Sequence, residues 1–524
     1  MAYSHSWLED PSAIKALFVE IQRYNVLTST TETLYLSTVP YISKNSAVVF
    51  EPILAKGSGI SENISLDGSI SMSFGDVIVH NHNGEFDSWL DHTKYIWMNR
   101  SVNIYLGDPF WDVTSISQFK NDFLLVYSGL IADIDSKDIN SLSFKVRDKL
   151  EMLNAPVTEN KLGTYGTWAG GQSNQDTIKP LVFGEVHNIE PLLVDPSTLE
   201  YMFNDGLSEK VIEIRDNGVP IYTADTTLTT GATIDLTNGK FTLAHPAVGT
   251  ITASIQGVKK SANMSTGSVS NSYTNSIANQ IAIISMLYGK VGLTNLTTDD
   301  IDWSNFSAFD GSNTQKVGIY ISDRDNVLSV CRSLADSIGA QVYFNRLGKL
   351  QLIRLGSGFG STLSTITDQD IIEHTLQVSQ KLQVQAAIKI AYCKNWTVQE
   401  GLLTGIPEYH KKLFATEWLT KTSIDSSTKT NYKLQADPEA KETMLLVGSE
   451  ASNEAARLVS LYSTPRTIYR FTGTSKLFRL QLGQSVTLLH NRFNLYNGGA
   501  GSLGQVVSLS TNWLDNTISV EVLI

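Results

Sequence analysis

The first 155 residues alternate apolar and polar side chains with a period of two, the spacing of half-buried β-strands. The alternation is found at residues 17–21, 33–36, 48–50, 64–66, 77–79, 102–106, 124–134 and 142–146. Short strands separated by turn residues are typical of a barrel or a sandwich. The pattern therefore predicts a β domain in this part of the chain.

A second periodicity begins at Ile277, where apolar side chains recur every three or four residues. Ile281, Ile284 and Tyr288 continue the pattern, which predicts an amphipathic helix, and Gly289 follows as a favourable C-cap.

Another helix is predicted over residues 322–338. Ser322 and Asp325 match the pattern of a capping box at its start, and Gly339 stands where a helix end favours glycine. Residues 340–355 then predict a β-hairpin. The helices and the hairpin together predict a helical layer that joins two β domains.

Turn signals mark the middle of the chain. Residues 163–174 are rich in Gly, Ser, Thr and Asn and predict a loop or linker. Hairpins are predicted at residues 216–218 (Asp-Asn-Gly) and at Asn238-Gly239. The second dipeptide separates two strand-like segments and predicts a type I′ turn.

Strand-like patterns return in residues 361–524. Residues 378–392 and 403–419 predict strands, residues 450–462 predict a helix, and a three-stranded meander is predicted at residues 486–489, 504–509 and 518–523.

Composition narrows the possible classes of protein. Apolar residues make up 42% of the 524 residues and charged residues 18%, as in a folded protein. The net charge of −12 and the pI near 5.3 argue against a dedicated nucleic-acid binder, because few phosphates would be neutralised. They leave open a channel through which nucleic acid slides without binding.

The cysteines and the length of the apolar runs indicate the cellular compartment in which the chain is made. Cys331 and Cys393 provide neither a disulfide framework nor a metal knuckle, and Cys331 is predicted to be a buried apolar side chain. The N-terminal residues lack the order of a signal peptide, and no run approaches the roughly 18 apolar residues that cross a bilayer. We expect a chain without a membrane segment that is synthesised in the cytoplasm.

Three groups of residues could carry chemistry. His80, His82, Asp87, Asp91 and His92 are the densest set of potential metal ligands, and a divalent site remains open beside the alternative of a polar strand end and loop.

The other two groups have simpler explanations. Gly499, Gly501 and Gly504 form G-x-G-x-x-G, but a strand follows where a dinucleotide site needs a helix, so a hairpin loop is predicted. The aspartates at positions 299, 300 and 302 could bind calcium or act on a glycan, and the commoner alternatives are helix capping and a solvated loop.

Tryptophans are a further candidate, because large rigid side chains can stack on sugars or anchor subunit contacts. Most are predicted to be core residues, and about a third to lie at interfaces. The residues concerned are Trp89, Trp97, Trp111, Trp168, Trp303, Trp396, Trp418 and Trp513.

The C-terminal segment contains four features in the order LG-x-x-V, R-x-x-L, V and closing strand. They are found at residues 482–488 (LGQSVTL), 492–495 (RFNL), Val506 and 519–524. This order resembles the C-terminus of bacteriophage tail-tip, or baseplate, hub proteins of the siphophage type. Residues 81–87 with Trp89 and 106–108 resemble the first hub barrel of these proteins. Residues 127–130 with Asp148 and 153–156 resemble the strand that closes that barrel. Residues 180–184 with Tyr201, 205–206 and 216–219 resemble their inserted domain.

The resemblance implies a mainly β (α+β) fold in four segments. These are an N-terminal hub β-barrel domain (1–155), an inserted β domain (156–260), a helical layer with a hairpin (261–360) and a C-terminal hub β-barrel domain (361–524).

The implied function is structural. Such a hub forms a ring, usually a homotrimer, at the distal end of the tail tube. It adapts the tube to a central spike or fibre and passes the genome during ejection at host entry. The implied partners are distal tail and tail tube proteins, the central fibre or spike protein and the tape measure protein, and the implied location is the virion tail tip.

We therefore expect no enzyme activity, no cofactor and no catalytic, cofactor-binding or metal-binding residues. DNA is expected to pass without specific binding. The alternative is a receptor- or glycan-binding tail adhesin. A wall- or capsule-degrading enzyme would instead require turnover that depends on Asp87 or Asp108.

Overall fold

The computed structural model describes residues 4–55, 60–64, 70–163, 175–291, 294–356, 364–402, 404–435 and 437–524. Its contacts divide the chain into two compact units, each assembled from separate segments. Unit 1 consists of Met1–Glu151, Tyr343–Gln383 and Pro465–Ile524, and unit 2 of Met152–Val342 and Val384–Thr464. The predicted division into four consecutive domains stays a prediction.

Elements up to residue 147 are mostly strands. The helices are α1 (His5–Glu9) and α2 (Ile116–Asp122), and the strands are β1 (Ala16–Asn25), β2 (Thr30–Ser37), β3 (Tyr41–Ile42), β4 (Val49–Phe50), β5 (Ile60–Ile64), β6 (Ile70–Phe74), β7 (Val77–His80), β8 (Tyr95–Ile96), β9 (Ser101–Gly107), β10 (Leu124–Asp138) and β11 (Ser141–Arg147).

The middle of the chain begins with ten strands, and helices are interspersed with strands only from α3 onward. The strands are β12 (Leu181–Ile189), β13 (Leu192–Asp195), β14 (Glu200–Met202), β15 (Ser208–Asp216), β16 (Val219–Thr223), β17 (Ala232–Asp235), β18 (Lys240–Leu243), β19 (Ile251–Val258), β20 (Ser261–Ala262), β21 (Val269–Ser270), β22 (Lys290–Val291), β23 (Thr294–Asn295), β24 (Gly318–Ile321) and β25 (Ala340–Phe344), and the helices are α3 (Ile277–Tyr288), α4 (Trp303–Ser312) and α5 (Val327–Asp336).

The remaining elements are again mostly strands. They are β26 (Leu350–Arg354), β27 (Ser364–Thr367), β28 (Gln377–Lys381), β29 (Ala387–Tyr392), α6 (Glu408–Phe414), β30 (Leu419–Ile424), α7 (Ser426–Tyr432), β31 (Ala440–Glu442), α8 (Gly448–Tyr462), β32 (Thr467–Thr474), β33 (Ser485–Leu489), β34 (Ser502–Asn512) and β35 (Thr517–Leu523). The mainly β prediction is confirmed.

Unit 1 contains two large sheets. The first has the order β2-β1-β9-β10-β11-β7, with β8 paired to β1. The second has the order β27-β33-β34-β35-β32-β28, and the predicted C-terminal meander is confirmed as β33-β34-β35. The hairpin β5–β6 extends this second sheet by pairing β5 with β34, so Asn63 lies opposite Ser508.

Both sheets contribute to one apolar core of unit 1. Leu17, Val19 and Ile21 of β1 lie in the same cluster of buried side chains as Val506 and Val520 of the second sheet. The other face of β1 is also covered, because Phe18 lies in a separate aromatic cluster. Residues 17–21 are therefore buried on both faces, although their alternation predicted a half-buried strand.

Unit 2 has a five-stranded sheet, β16-β15-β19-β12-β24, and a four-stranded sheet, β13-β14-β18-β17. Val182, Ile214 and Ile255 of the first share a core with Phe203 and Phe241. A three-stranded sheet, β30-β29-β31, contacts α8, whose position confirms the helix predicted over residues 450–462.

Two of the predicted helices, α3 and α5, are present in the structure, but the burial of α3 and the start of α5 differ from the prediction. α3 ends before Gly289 as predicted, but it is buried from Ile277 to Met286 instead of being amphipathic, because α4 and α5 pack against it. α5 begins at Val327, five residues after the predicted start. The Asn326 side chain caps it by accepting a hydrogen bond from the Leu328 N–H.

The segment 403–419 is the clearest error of the sequence-based prediction. Residues 408–414 form α6 directly after Pro407, and β30 begins only at Leu419. Pro407 is the N-cap, and its carbonyl oxygen accepts hydrogen bonds from the His410 and Lys411 N–H groups, which begins the helix. Residue 403 lies outside the described residues.

The type I′ turn belongs to the other predicted hairpin. Asp216 pairs with Val219 across a two-residue loop in which Asn217 and Gly218 both have positive φ, 47° and 82°. At Asn238-Gly239 the loop is longer, because Asp235 pairs with Lys240. The Asp235 carboxylate accepts hydrogen bonds from the Asn238 N–H and amide, which holds the longer loop.

Gly239→Ala is expected to lower the free energy of unfolding by about 2–3 kcal/mol. Gly239 has a φ of 64°, and a Cβ there would lie 2.1 Å from the Asn204 carbonyl oxygen. Urea denaturation measures the change. Gly311→Ala is the matched control, since Gly311 lies within α4 and a Cβ added there would meet open space. Alanine at this position is expected to raise the free energy of unfolding slightly. Equal effects of the two substitutions would contradict the prediction.

Candidate interaction surfaces

The potential metal ligands near residue 80 are separate, hydrogen-bonded side chains. The Asp87 carboxylate accepts a hydrogen bond from the Asn81 amide at 2.8 Å, and Asp91 accepts one from the Thr93 hydroxyl at 2.6 Å. That hydroxyl, with the Thr93 N–H, lowers the pKa of Asp91. His80, His82 and His92 are exposed. Within the described residues, no three His, Cys, Asp or Glu side chains are grouped so that they could hold a metal ion.

The glycine motif and the aspartates have the predicted structural roles. Gly499 ends a short 3₁₀ turn and Gly504 lies in β34, so the motif belongs to the loop of a β-hairpin. Asp300 completes a capping box with Thr297, and Asp302 caps α4 by accepting a hydrogen bond from Asn305 at 3.1 Å.

The two sulfur nucleophiles are poorly placed for chemistry. Cys331 is fully buried in α5, next to the Ser285 hydroxyl, and burial raises the pKa of its thiol to about 12. Burial also raises the pKa of Cys393. A thiol that stays protonated is a weak nucleophile, so Cys331 has the predicted role of a buried apolar side chain.

The tryptophans divide between core and partly buried positions. Trp89, Trp97 and Trp513 are buried. The partly buried ones that the sequence singled out are Trp111, Trp303, Trp396 and Trp418. Trp168 lies outside the described residues.

Large apolar side chains are exposed on two joined segments of unit 1. Ile42 (67% exposed) and Val49 (47%) lie directly opposite each other in the β3–β4 hairpin, and Phe110 (79%) lies in the loop after β9. We call these three residues the hairpin–loop surface. Clusters of exposed apolar side chains are typical of protein contact sites.

Hydrogen bonds hold the two segments together. Tyr41 Oη donates to the Trp111 carbonyl oxygen at 2.8 Å, and the Lys44 N–H donates to the Asp112 carboxylate at 2.9 Å. The inner face of the hairpin is anchored by Tyr41 and Phe50, which are buried among aromatic rings. The backbone that carries the exposed side chains is therefore held in place by hydrogen bonds and by the buried aromatic rings.

The sequence analysis did not identify this surface. Residues 48–50 were predicted to be a strand, but the outward direction of Val49 depends on its pairing with β3. One local signal was available at Phe110, because an aromatic residue beside Asp108 and Pro109 lies in a turn-forming context.

Comparisons with known proteins give only remote similarities. No family model matches the chain, and no curated protein matches it. Among solved structures, the chain is similar to the tail protein from Neisseria meningitidis MC58, with 9% identity, 98% of this chain and 97% of that chain covered, and a TM-score of 0.35. A prophage tail protein from Listeria monocytogenes EGD-e has 9% identity, coverage of 97% and 94%, and a TM-score of 0.41.

A third similar chain belongs to the virion of a native gene transfer agent particle, with 12% identity, coverage of 72% of this chain and 91% of that chain, and a TM-score of 0.43. Similarities at these identities and TM-scores carry no argument about the function of this chain. Among the described residues there is also no helix of the length and apolar character needed to span a membrane.

Proposed function

We propose that this chain is a structural protein of a bacteriophage tail, the hub that forms a ring at the distal end of the tail tube. The resemblance at residues 482–524 supports this function. These residues include the β33-β34-β35 meander, in which Val486 and Val506 are fully buried. The same proposal places the protein at the virion tail tip.

The observation that carries the proposal is the hairpin–loop surface. Ile42, Val49 and Phe110 are large apolar side chains that are exposed on two hydrogen-bonded segments, as is typical of contact sites. We assign them to the contact with a second copy of the chain. In a ring each copy uses two different surfaces, and the contacts close when the rotation between copies divides a full turn.

The charge of the chain fits the passage of a genome. A chain with a net charge of −12 neutralises few phosphates, so DNA could move through a ring of this chain without being held. In this proposal the ring is a homotrimer that joins tail tube proteins to a central fibre or spike and contacts the tape measure protein.

Light scattering on the purified full chain tests self-association. We expect a mass of three times the 57.6 kDa of one copy, and we expect Ile42→Asp combined with Phe110→Asp to give the single-copy mass, because buried unpaired carboxylates oppose the contact. Val248→Asp is the control, since Val248 is 85% exposed and belongs to unit 2, whereas the hairpin–loop surface belongs to unit 1.

Imaging of the assembled particle distinguishes the hub from other tail proteins. A closed ring of this chain around the tail axis is the expected result. Single copies away from the axis, or a ring in which Ile42 and Phe110 face solvent, would contradict the proposal.

A further inference from the structure

Unit 2 contains an open groove of about 790 Å³ that the hub function does not use. Three aromatic side chains line it: Trp396, Tyr320 and Tyr201. Each is partly exposed. The groove falls within the range of about 300–1,000 Å³ that is usual for ligand sites.

The aromatic side chains are held in place before any ligand arrives. Asn188 is 5% exposed, and its amide donates to the Asn395 side-chain oxygen at 2.6 Å and to the Thr397 carbonyl oxygen at 2.7 Å. These bonds fix the residues on both sides of Trp396. A pre-positioned ring binds a ligand without losing further conformational freedom.

Tyr320 is fixed by a different contact. Its hydroxyl donates to the Glu190 carbonyl oxygen at 3.0 Å, and its ring meets the Trp396 ring at 81° with centroids 5.9 Å apart. Burial, and then the nearby carboxylates, raise the pKa of Tyr320, which keeps the phenol neutral. The two rings therefore form a stable corner in the groove.

The polar groups of the groove are mostly neutral hydroxyls. For these side-chain hydroxyls we find no hydrogen-bond partner among the described residues, and they belong to Thr177, Thr250, Ser322 and Thr397. A hydroxyl both donates and accepts, so it matches a ligand that carries many hydroxyls of its own. No Lys, Arg or His of the described chain lines the groove, and Glu190 is its one acidic residue.

From these features we propose that the groove binds a neutral oligosaccharide. The apolar faces of the sugar rings would pack on Trp396 and Tyr201, since rigid aromatic side chains provide large contact areas at a small loss of freedom. The hydroxyls would donate and accept hydrogen bonds around the ring edges, and the Glu190 carboxylate would accept them. Glu190 is the charged residue among those that line the groove, and it disfavours a phosphate- or carboxylate-bearing glycan, whereas Lys394 lies beside the Trp396 ring without lining the groove. This site does not depend on the proposed hub function.

Calorimetry with the full chain tests the proposal. The probes are cellohexaose, maltohexaose and N-acetylchitohexaose as neutral saccharides, with a proline-rich decapeptide as the probe for an extended peptide. We expect at least one saccharide to bind, and we expect Trp396→Ala to weaken it about tenfold or more, the usual effect of removing an aromatic anchor.

Trp418→Ala is the matched control. Lys394 lies over both indole rings, 4.6 Å from the centroid of Trp396 and 5.1 Å from that of Trp418, but Trp418 does not line the groove. The affinity of the Trp418→Ala variant for the saccharide should equal that of the unchanged chain. Glu190→Gln provides a second variant at an exposed position, for use if Trp396→Ala does not fold, and it should also weaken binding.

Several results would overturn the inference. These are binding of the peptide alone, no saccharide binding at millimolar concentration, or equal loss of affinity in the Trp396 and Trp418 variants. A ring at the tail tip without saccharide binding would contradict the saccharide site and support the hub function. Saccharide binding by a chain that forms no ring would support the saccharide site and contradict the hub function.

Discussion

Phe18→Ala is expected to lower the free energy of unfolding by about 3–5 kcal/mol, the usual effect of removing a buried aromatic ring. Phe18 is fully buried in unit 1, and its ring meets those of Tyr41, Phe50 and Phe123 edge to face, with centroids 5.0–5.3 Å apart. Alanine would remove all of these contacts and leave a cavity that close-packed neighbours cannot fill. Urea denaturation followed by tryptophan fluorescence should show a lower midpoint.

Phe110→Ala is the control for this substitution. Phe110 is the same residue type in the same unit but is 79% exposed, so its replacement should change the free energy of unfolding by no more than about 0.5 kcal/mol. It should instead weaken self-association. A similar loss of stability in both variants would show that the aromatic cluster around Phe18 contributes less than its burial indicates.

Arg346→Met is expected to lower the free energy of unfolding by about 3–5 kcal/mol, because it leaves a buried carboxylate without its ionic partner. Arg346 lies at the tip of the β25–β26 hairpin, 3.3 Å from the carboxylate of Glu62, whose side chain is 4% exposed. The guanidinium also donates to the Leu480 carbonyl oxygen, and the Arg346 carbonyl accepts a hydrogen bond from the Ser128 N–H at 2.8 Å. Chemical denaturation again measures the change.

A double variant separates the charge from the packing. Glu62→Gln combined with Arg346→Met removes both charges and keeps side chains of similar size, so it should be more stable than Arg346→Met alone. Glu62→Gln alone is the remaining member of the cycle. If the double variant loses as much as the sum of the single ones, the ion pair has no coupling, and the lost packing of Arg346 accounts for the effect.

The sequence predicted features that depend on neighbouring residues. The period-two strands and the α3 end at Gly289 are encoded in local patterns, and so is the capping by Asp300 and Asp302. At α5 two local signals competed. Asn326 forms the cap of α5, and Ser322 directly follows the strand β24.

Features that depend on distant residues were not predictable. Nothing near Glu62 indicates that Arg346 neutralises it, and nothing near Ile42 shows which face of its hairpin is covered by aromatic rings. The groove in unit 2 has the same character. Trp396 was one of several tryptophans in the sequence, and only the fold brings it together with Tyr201, Tyr320 and four serine and threonine side chains.

The pairing of β5 with β34 has a consequence for biosynthesis. Asn63 leaves the ribosome early, but its strand partner Ser508 is translated more than four hundred residues later. β5 must therefore wait for β34. The first sheet of unit 1, which shares its core with β34 and β35, keeps one apolar face uncovered while unit 2 can complete its own core. Throughout that interval the nascent chain exposes the surface that chaperones recognise, and slow translation of the last segment prolongs its vulnerability to aggregation.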